Sequence, residues 1–134
     1  MTIPSIKLVK QWHKLFGVPV LTEPTIPNPA RCKLRIDLIK EELQELEDAI
    51  EDQNIIDILD ALSDLQYVLD GTYLEFGLEH LKDASFAEVH RSNMSKVGSD
   101  GQPIKREDGK ILKGPYYRAP DFAPIMGGDY DTAE

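Results

Sequence analysis

Residues 30–76, ARCKLRIDLIKEELQELEDAIEDQNIIDILDALSDLQYVLDGTYLEF, decide the fold of this chain. The stretch holds two long segments in which apolar residues recur at i, i+3, i+4 and i+7, the spacing of one face of an α-helix. Asn54 between them is typical of a helix N-cap, and Gly77 after the second is typical of a helix end. The sequence therefore predicts two long helices, over 30–52 and from Asn54 to about Phe76.

Two shorter segments outside this stretch also have helical spacing. Residues 3–16 follow this pattern between Pro4 and Gly17, and residues 82–97 follow it up to Gly98. Residues 17–29 contain four prolines and are expected to form a loop. We expect an all-α fold, a four-helix bundle.

The chain beyond Gly98 is rich in glycine, proline, aspartate and tyrosine and lacks periodicity. Within it, QPIKREDGKILKG is typical of a short hairpin that turns at Asp108-Gly109. We expect residues 1–97 to form the helical domain. Residues 98–134 are expected to form an irregular C-terminal arm that packs on that domain or on a partner subunit.

The formal net charge of −9 bears on the partners of the chain. Nucleic-acid binding needs clustered Lys and Arg, so this balance argues against it. No apolar run approaches the roughly 20 residues of a membrane span, and a single cysteine, Cys32, permits no internal disulfide. These features predict a cytoplasmic protein without a membrane partner.

Acidic side chains interrupt the apolar face of the first long helix. At about 100° per residue, Glu42 falls inside the apolar arc and Glu45 at its edge, with Glu41 just beyond. Burying an unpaired carboxylate among leucines is costly, so Glu42 requires a neutralising partner. The arc itself consists of Leu38, Ile39, Leu43, Leu46, Ala49 and Ile50.

The second long helix repeats this pattern. Asp57, Asp60 and Asp64 form one stripe flanked by apolar residues on both sides. Carboxylates on facing helices suit a hard cation, and the absence of nearby His or Cys favours Mg²⁺ or Mn²⁺ over zinc. The alternative interpretation is that both stripes are ordinary solvated faces.

A third candidate group lies in EVHRSNMSK, residues 88–96. Asn93 falls inside the apolar arc of its helix, and Lys96, three residues later, shares its face. A buried amide needs partners, which are either the backbone of the arm or a ligand. In the second case Asn93 and Lys96 contact a nucleotide, with Lys96 balancing phosphate charge.

These motifs together resemble a known superfamily. Glu41-Glu42-Leu43-Gln44-Glu45 resembles the EExxE motif of the all-α NTP pyrophosphatases, which include MazG, dimeric dUTPase and phosphoribosyl-ATP pyrophosphohydrolase. The segment from Asp60 to Asp64 resembles the second motif, ordinarily ExxD, except that Ala61 stands at the Glu position. FAEVHRSNMSKVGSDGQPIKREDGKILKGPYYRAPD resembles a phosphoribosyl-ATP-pyrophosphohydrolase-like branch from bacteria and phages. The resemblance covers residues 5–122.

The resemblance implies an enzyme that hydrolyses a nucleoside triphosphate to the monophosphate and pyrophosphate with Mg²⁺, or with Mn²⁺ as a substitute. Its motifs imply Glu42, Glu45, Asp60 and Asp64 as metal ligands and Glu41 as the residue that activates water. It also implies a homodimer or homotetramer.

The substrate role stays open among house-cleaning of aberrant nucleotides, dUTP removal and hydrolysis of phosphoribosyl-ATP. The long arm makes the last the least favoured. Tyr116, Tyr117 and Phe122 of the arm are expected to dock it or to stack on a base. The competing function is a non-catalytic helical oligomer that metal stabilises, an interpretation that the Ala61 departure supports.

Overall fold

The structure is a computed structural model that describes residues 2–127. Its α-helices are α1 (Ser5–Phe16), α2 (Pro29–Glu51), α3 (Ile55–Glu75), α4 (Lys82–Met94) and the short α5 (Ala123–Met126), with a 3-10 turn at Glu79–Leu81. The all-α class is confirmed, and the two long and two shorter helices that the sequence predicts are all present. Within residues 2–127, none of these helices is both long enough and apolar enough to cross a bilayer.

The ends of the helices follow the local signals of the sequence. The Asn54 side chain accepts hydrogen bonds from the backbone N–H groups of Ile56 and Asp57, 3.1 and 3.2 Å away, and so caps α3. The Asn28 side chain caps α2 in the same way. Gly17, which follows α1, has a φ of 70°, in the left-handed region that favours glycine.

The chain divides between His80 and Leu81 into two compact units. The first unit contains α1, α2 and α3, and α3 contacts both of the other helices. Its apolar core is formed by Ile6, Val9 and Leu74, against which Val20 and Tyr73 pack. The predicted domain boundary at residue 97 stays a prediction.

The proline-rich loop between α1 and α2 is tied to the end of α3. The N–H groups of Leu21 and Thr25 donate to the carbonyl oxygens of Leu74 and Phe76, each at 2.9 Å. The Leu74 carbonyl lies in the last turn of α3 and the Phe76 carbonyl at its C-cap, where the regular hydrogen bonding of a helix comes to an end. The loop therefore completes the hydrogen bonding of this helix end.

The second unit contains α4 and the chain that follows it. The sequence interpretation extended this helix to residue 97, but α4 ends at Met94, so that prediction was wrong by about one turn. The Ser95 hydroxyl donates to the Ser92 carbonyl at 2.6 Å and accepts from the Arg118 N–H at 3.0 Å. The hydroxyl thus hydrogen-bonds to a carbonyl in the last turn of α4 and connects the arm to that helix.

The arm makes one antiparallel bridge, between Lys105 and Ile111, and no strand occurs in residues 2–127. The bridge closes around Gly109, which has a φ of 89°. The backbone N–H of Arg106 donates to Lys110 O at 2.8 Å. The turn lies where the sequence predicted a hairpin, and it is shorter than two paired strands.

The apolar arc predicted for α2 is only partly buried. Ala49 is buried, but Leu43 and Ile50 are more than half exposed. The arc therefore contributes to the core over only part of its surface. The reason is geometric, because α2 has only α3 packed closely against it and much of its apolar surface has no neighbour within the first unit.

Candidate functional site

Three carboxylates from the two long helices converge at one point. Glu42 and Glu45 come from α2, Asp64 comes from α3, and one oxygen of each lies within 4.8 Å of the others. Glu42 and Glu45 are one helical turn apart, so they present their side chains on the same side of α2. The pairing of α2 with α3 then brings Asp64 opposite them.

Glu42 is the most perturbed member of this carboxylate triad. Its Oε2 atom is buried and has no hydrogen-bond partner among the described residues. Burial, and then the charges of Glu45, Asp64 and Glu41, raise its pKa to about 7. A group in this condition lacks a counter-charge, because like charges and desolvation both disfavour its ionised form.

Asp64 shows the same effect more weakly. Burial, followed by the charges of Asp60 and Glu45, raises its pKa. Asp60 is exposed one turn earlier on α3, outside the triad. Asp60 and Glu45 line a neighbouring acidic cavity of about 220 Å³, whose wall includes Ala61, which is 3% exposed. A role for Asp60 as a ligand stays a prediction.

Glu41 precedes the triad on α2 and is exposed to solvent. Its charge contributes to the raised pKa of Glu42, so the two carboxylates interact electrostatically. An exposed carboxylate beside the triad is accessible to a water molecule, as a general base must be. Its assignment as the residue that activates water stays a prediction.

The donor set of the triad fits a hard divalent cation. It offers only carboxylate oxygens, which Mg²⁺ and Mn²⁺ prefer as ligands, and the unpartnered Glu42 oxygen lacks the very interaction that a cation supplies. The residues present therefore satisfy the chemical requirements of a magnesium site.

Asn93 and Lys96 belong to the second unit, near the end of α4. Asn93 is exposed, so the prediction that its amide is buried in an apolar arc was wrong; Ser92 is the buried residue there. Lys96 is half-buried and lies past the end of α4, so the two residues do not share a helix face. Their predicted contact with a nucleotide remains a prediction.

The aromatic residues of the arm are held unequally within the second unit. The Lys113 ammonium lies 4.8 Å from the centre of the half-buried Tyr117 ring, a cation–π arrangement. Tyr116 is exposed, and Phe122 is at the limit of exposure. The carbonyl oxygens of Arg118 and Ala119 accept hydrogen bonds from Arg91 of α4.

A buried polar network lies between the helices of the first unit, and no sequence motif singled it out. Glu75 is 1% exposed and accepts hydrogen bonds from Arg31 and Arg35, with Arg35 Nη1 at 3.2 Å. Arg35 also donates to Thr72 Oγ1 and to Val68 O. The available signal was the presence of two arginines on one face of α2 and a glutamate on α3, which the acidic pattern of the chain obscured.

His13 on α1 joins this network from the other side. It is 2% exposed, and its Nδ1 donates to Pro19 O at 3.0 Å. Burial lowers its pKa, partly offset by the hydrogen bond to the Pro19 carbonyl, and the charge of Arg35 lowers it further. The ring is therefore neutral at neutral pH, with its proton on Nδ1.

A cavity of about 470 Å³ opens beside the network. Trp12 and Tyr67 stand on its wall, with ring centres 6.3 Å apart and ring planes 89° apart. Asp64 also lines this cavity, so the carboxylate triad and the cavity have one residue in common.

Comparison with known proteins places the helical part of the chain in a family. Residues 9–93 match the protein family described as phosphoribosyl-ATP pyrophosphohydrolase. The chain is 42% identical, over an alignment of 78 residues, to an uncharacterized protein of Acanthamoeba polyphaga mimivirus; the alignment covers 55% of this chain and 31% of that protein. The chain thus spans about a third of that relative's length.

Among solved structures, the chain is similar to the crystal structure of a candidate NTP pyrophosphohydrolase from Exiguobacterium sp. 255-15. The two chains are 28% identical, with 94% of this chain and 93% of the other covered, at a TM-score of 0.44.

Proposed function

The chain belongs to the phosphoribosyl-ATP pyrophosphohydrolase family, and from that membership we propose that it hydrolyses a nucleoside triphosphate to the monophosphate and pyrophosphate. The observation that best supports this proposal is the carboxylate triad with its unpartnered Glu42 oxygen. The matched residues, 9–93, run from within α1 to the last turn of α4, and the arm begins after them.

In this proposal Glu42, Glu45 and Asp64 hold a magnesium ion, with Asp60 as a further ligand. When bound, Mg²⁺ (or Mn²⁺ in its place) supplies the positive charge that a triphosphate and its transition state require. The triad itself is negatively charged, because all three of its side chains are carboxylates.

Glu41 orients the attacking water and takes its proton. The water oxygen forms a bond to the α-phosphorus, and the bond from that phosphorus to the α–β bridging oxygen breaks. Pyrophosphate leaves with the electron pair of that bond, and Glu41 passes the proton to solvent. The exposed position of Glu41 supports this last step.

Asn93 and Lys96 contact the substrate in this proposal. The supporting argument is charge, since a polyanionic substrate meets a chain with a net charge of −9 and Lys96 follows the matched helices directly. Lys96→Ala should then raise KM more than it lowers the melting temperature, because one partly exposed lysine contributes little to stability. A lower melting temperature with an unchanged KM contradicts this assignment.

We also propose that the protein acts as a homodimer or homotetramer that cleans nucleotide pools. The oligomer is supported by exposed apolar residues on α3, among them Ile55 and Leu59, which are 74% and 66% exposed. The pool-cleaning role is inferred from the class of reaction, and pyrophosphate release from a panel of nucleotides tests it.

Pyrophosphate release from the canonical NTPs and dNTPs, dUTP, deaminated nucleotides and phosphoribosyl-ATP tests the function. We expect hydrolysis that requires Mg²⁺, stops in EDTA and returns with Mn²⁺. Preference for dUTP or deaminated nucleotides supports a cleaning role. Absence of pyrophosphate from every substrate rules out the proposed reaction.

The second candidate is a helical oligomer that binds metal without catalysis. Ala61 is buried and stands where the ExxD motif of the family has glutamate, and this difference favours the second candidate. It predicts that Mg²⁺ raises the melting temperature, by RT ln(1 + [L]/Kd) or about 2.7 kcal/mol at a hundred times Kd, while no substrate is turned over. Hydrolysis with Mg²⁺ excludes this candidate.

A further inference from the structure

The part of the chain that follows α4 carries a charge opposite to that of the whole. Residues 96–118 contain six lysines and arginines against three acids, whereas the net charge of the chain is −9. Three of these cations, Lys96, Lys113 and Arg118, have no ion pair and no side-chain hydrogen bond within residues 2–127. They are called the cation triplet below.

Gly114 brings Lys113 against the end of α4. An added Cβ at position 114 would overlap the carbonyl oxygen of Val97 and would lie 2.9 Å from that of Lys96, so only glycine permits this approach of the two backbones. Lys96 and Lys113 therefore start from neighbouring points. The Lys113 ammonium lies 4.8 Å from the centre of the Tyr117 ring, a contact that holds the side chain without neutralising its charge.

Arg118 is joined to the same place by a turn of the arm. The N–H of Tyr117 donates to Gly114 O at 3.2 Å, and the N–H of Arg118 donates to Ser95 Oγ at 3.0 Å. The arm thus folds back along the residues that end α4. The contacts of Arg118 with this helix are made by its backbone, which leaves its guanidinium group uncommitted.

The acids that lie close to the cation triplet are already hydrogen-bonded. Glu88 accepts from Arg91 Nε and Nη2, at 2.8 Å each, and from the Asp121 N–H at 2.7 Å. These bonds are the main causes that lower the pKa of Glu88 to about 2, and the charge of Arg118 comes last among them. Asp100 accepts from the Gln102 N–H at 3.0 Å. The triplet therefore lacks a carboxylate that could serve as its counter-charge.

A chain of phosphate groups suits this arrangement of charges. Ammonium and guanidinium groups are common partners of phosphate oxygens, and a guanidinium group can bind two oxygens at once. Three cations that start from one turn can contact successive phosphates, whereas a single carboxylate can engage only part of the set. The reaction proposed above consumes one oligophosphate and releases another, so it provides two ligands of this chemistry.

On these grounds we propose that Lys96, Lys113 and Arg118 bind an oligophosphate. The choice of ligand rests on the proposed function, which supplies its two sources, the triphosphate of the nucleotide and the pyrophosphate that leaves. The triplet lies wholly within the second unit, and its residues follow the residues 9–93 that match the family. Oligophosphate binding at this place is therefore a property of the arm and of the end of α4.

Binding measured in EDTA separates the cation triplet from the carboxylate triad, because the triad without metal is negatively charged and repels phosphates. The full-length protein is titrated calorimetrically with inorganic pyrophosphate, inorganic triphosphate and orthophosphate. We expect pyrophosphate and triphosphate to bind saturably, and more weakly as salt is added. Orthophosphate should bind at least about tenfold more weakly, since it engages fewer of the cations. Orthophosphate that binds as tightly as pyrophosphate refutes a site for a phosphate chain.

Two double variants of equal charge test the residues. Lys113→Ala with Arg118→Ala removes two cations of the triplet and keeps the backbone contacts of Arg118, so it should weaken pyrophosphate binding at least about tenfold. Lys105→Ala with Lys110→Ala removes the same charge from the turn around Gly109 and should change binding less than about twofold. Equal losses in the two variants refute the triplet.

A charge-retaining variant covers the case in which the first double variant does not fold. Lys113→Arg with Arg118→Lys keeps both cations and should bind pyrophosphate within about threefold of the wild type, because long-range attraction is preserved and only bidentate geometry changes. Circular dichroism verifies that each variant is folded. A folded charge-retaining variant that binds no pyrophosphate refutes the assignment of these cations.

A nucleotide with a methylene group in place of the α–β bridging oxygen distinguishes the two sources, because the proposed reaction cannot cleave it. If Lys113→Ala with Arg118→Ala weakens its binding in EDTA, the triplet holds the triphosphate of the substrate. If only pyrophosphate depends on these residues, the triplet holds the product. Both results support oligophosphate binding.

The remaining outcomes separate this inference from the proposed function. Pyrophosphate and triphosphate that do not bind in EDTA refute the cation triplet, and hydrolysis of nucleotides by the same protein leaves the reaction standing. Binding that depends on the triplet, in a protein that hydrolyses no nucleotide with Mg²⁺, supports the triplet and refutes the reaction.

Discussion

At the scale of single residues, the candidate site depends most on Glu42. Glu42→Gln removes one charge from the triad and should lower turnover at least about a hundredfold, since one lost charge-stabilising group commonly costs roughly 2.7–4 kcal/mol. The same change relieves repulsion by Glu45 and Asp64, so the metal-free variant should melt at a higher temperature than the wild type. Pyrophosphate release and thermal melting in EDTA measure the two effects.

Glu47→Gln is the matched control for this experiment. Glu47 is exposed on α2 and lies outside the triad, so its variant should keep both the wild-type turnover and the wild-type melting temperature. Wild-type turnover in Glu42→Gln at saturating Mg²⁺ would mean that the triad is not the catalytic site.

His13 gives the stability of the protein a defined dependence on pH. Burial lowers its pKa in the folded state, whereas the unfolded chain has the ordinary value of about 6.5. Below about pH 6.5 the unfolded state binds a proton that the folded state does not, so stability falls as pH falls through this region. We expect a slope of at most about 1.4 kcal/mol per pH unit from this group, absent in His13→Asn.

Urea unfolding of the metal-free protein between pH 5 and 7.5 measures this slope. Glu42, with a raised pKa of about 7, contributes with the opposite sign, so the difference between wild type and His13→Asn isolates His13. The exposed His90, changed to Gln, should leave the profile unaltered. If wild type and His13→Asn give parallel profiles, the neutral, buried state assigned to His13 is wrong.

Periodicity predicted the carboxylates of the triad but not the network around Glu75. Glu42 falls inside an apolar arc, Glu45 at its edge and Asp64 in a stripe between apolar residues, so local spacing alone marks them as unusual. His13, Arg35 and Glu75 come from three helices and meet only through packing, with Arg35 and Glu75 forty positions apart. No local pattern distinguishes a buried arginine of this kind from a solvated one.

At the scale of the secondary-structure elements, Gly77 connects the end of α3 to the proline-rich loop. Its φ is 67°, and an added Cβ would overlap the carbonyl oxygen of Glu23. Gly77→Ala should therefore lower the free energy of unfolding by at least about 2 kcal/mol, through backbone strain and the displaced loop together. Chemical denaturation measures the loss.

Gly17→Ala separates the two contributions. Gly17 also follows a helix with a φ of 70°, but an added Cβ would meet nothing within 4 Å. Its variant should lose only the strain term, about 1 kcal/mol. Equal losses at both positions would show that the contact between Gly77 and Glu23 contributes nothing.

The helix ends were predictable where the signal was local. Asn54 and Gly17 act through their own side chain and backbone, and both were found where the sequence placed them. The end of α4 was not predictable from local sequence. The Ser95 hydroxyl hydrogen-bonds to Ser92 and to Arg118, and Arg118 lies twenty-three residues further along the chain. Gly98 was the only stop signal that the sequence offered there.

At the scale of the whole molecule, the apolar face of α3 predicts self-association. Ile55, Leu59 and Leu62 recur at helical spacing and are all exposed in the single chain. Ile55→Lys with Leu59→Lys should convert an oligomer to a monomer that is still folded, since neither side chain is buried in this chain. Sedimentation equilibrium and circular dichroism measure the two properties.

The double variant Phe86→Lys with Ile26→Lys is the control, because it removes two strongly exposed apolar side chains that do not belong to α3. This pair should keep the oligomeric state. A wild type that sediments as a monomer at all concentrations would rule out association through α3.

The attachment of α1 predicts an order in which the first unit assembles. Ser5 Oγ donates to Asp70 at 2.6 Å, Lys10 pairs with Glu79 at 2.9 Å, and Val9 packs on Leu74. All these partners lie at the far end of the unit, whereas α2 and α3 are joined by only three residues, Asp52–Asn54. During synthesis α1 emerges first and has no partner until α3 is complete, so the α2–α3 hairpin should form the folding nucleus and α1 should dock last.

Folding kinetics can detect this order. Val9→Ala should accelerate unfolding roughly tenfold and leave the refolding rate nearly unchanged, as expected for contacts absent from the transition state. Ala49→Gly, within the buried side of α2, should mainly slow refolding. The opposite pattern would mean that the first helix to leave the ribosome also starts the folding, and that the proline-rich loop closes early.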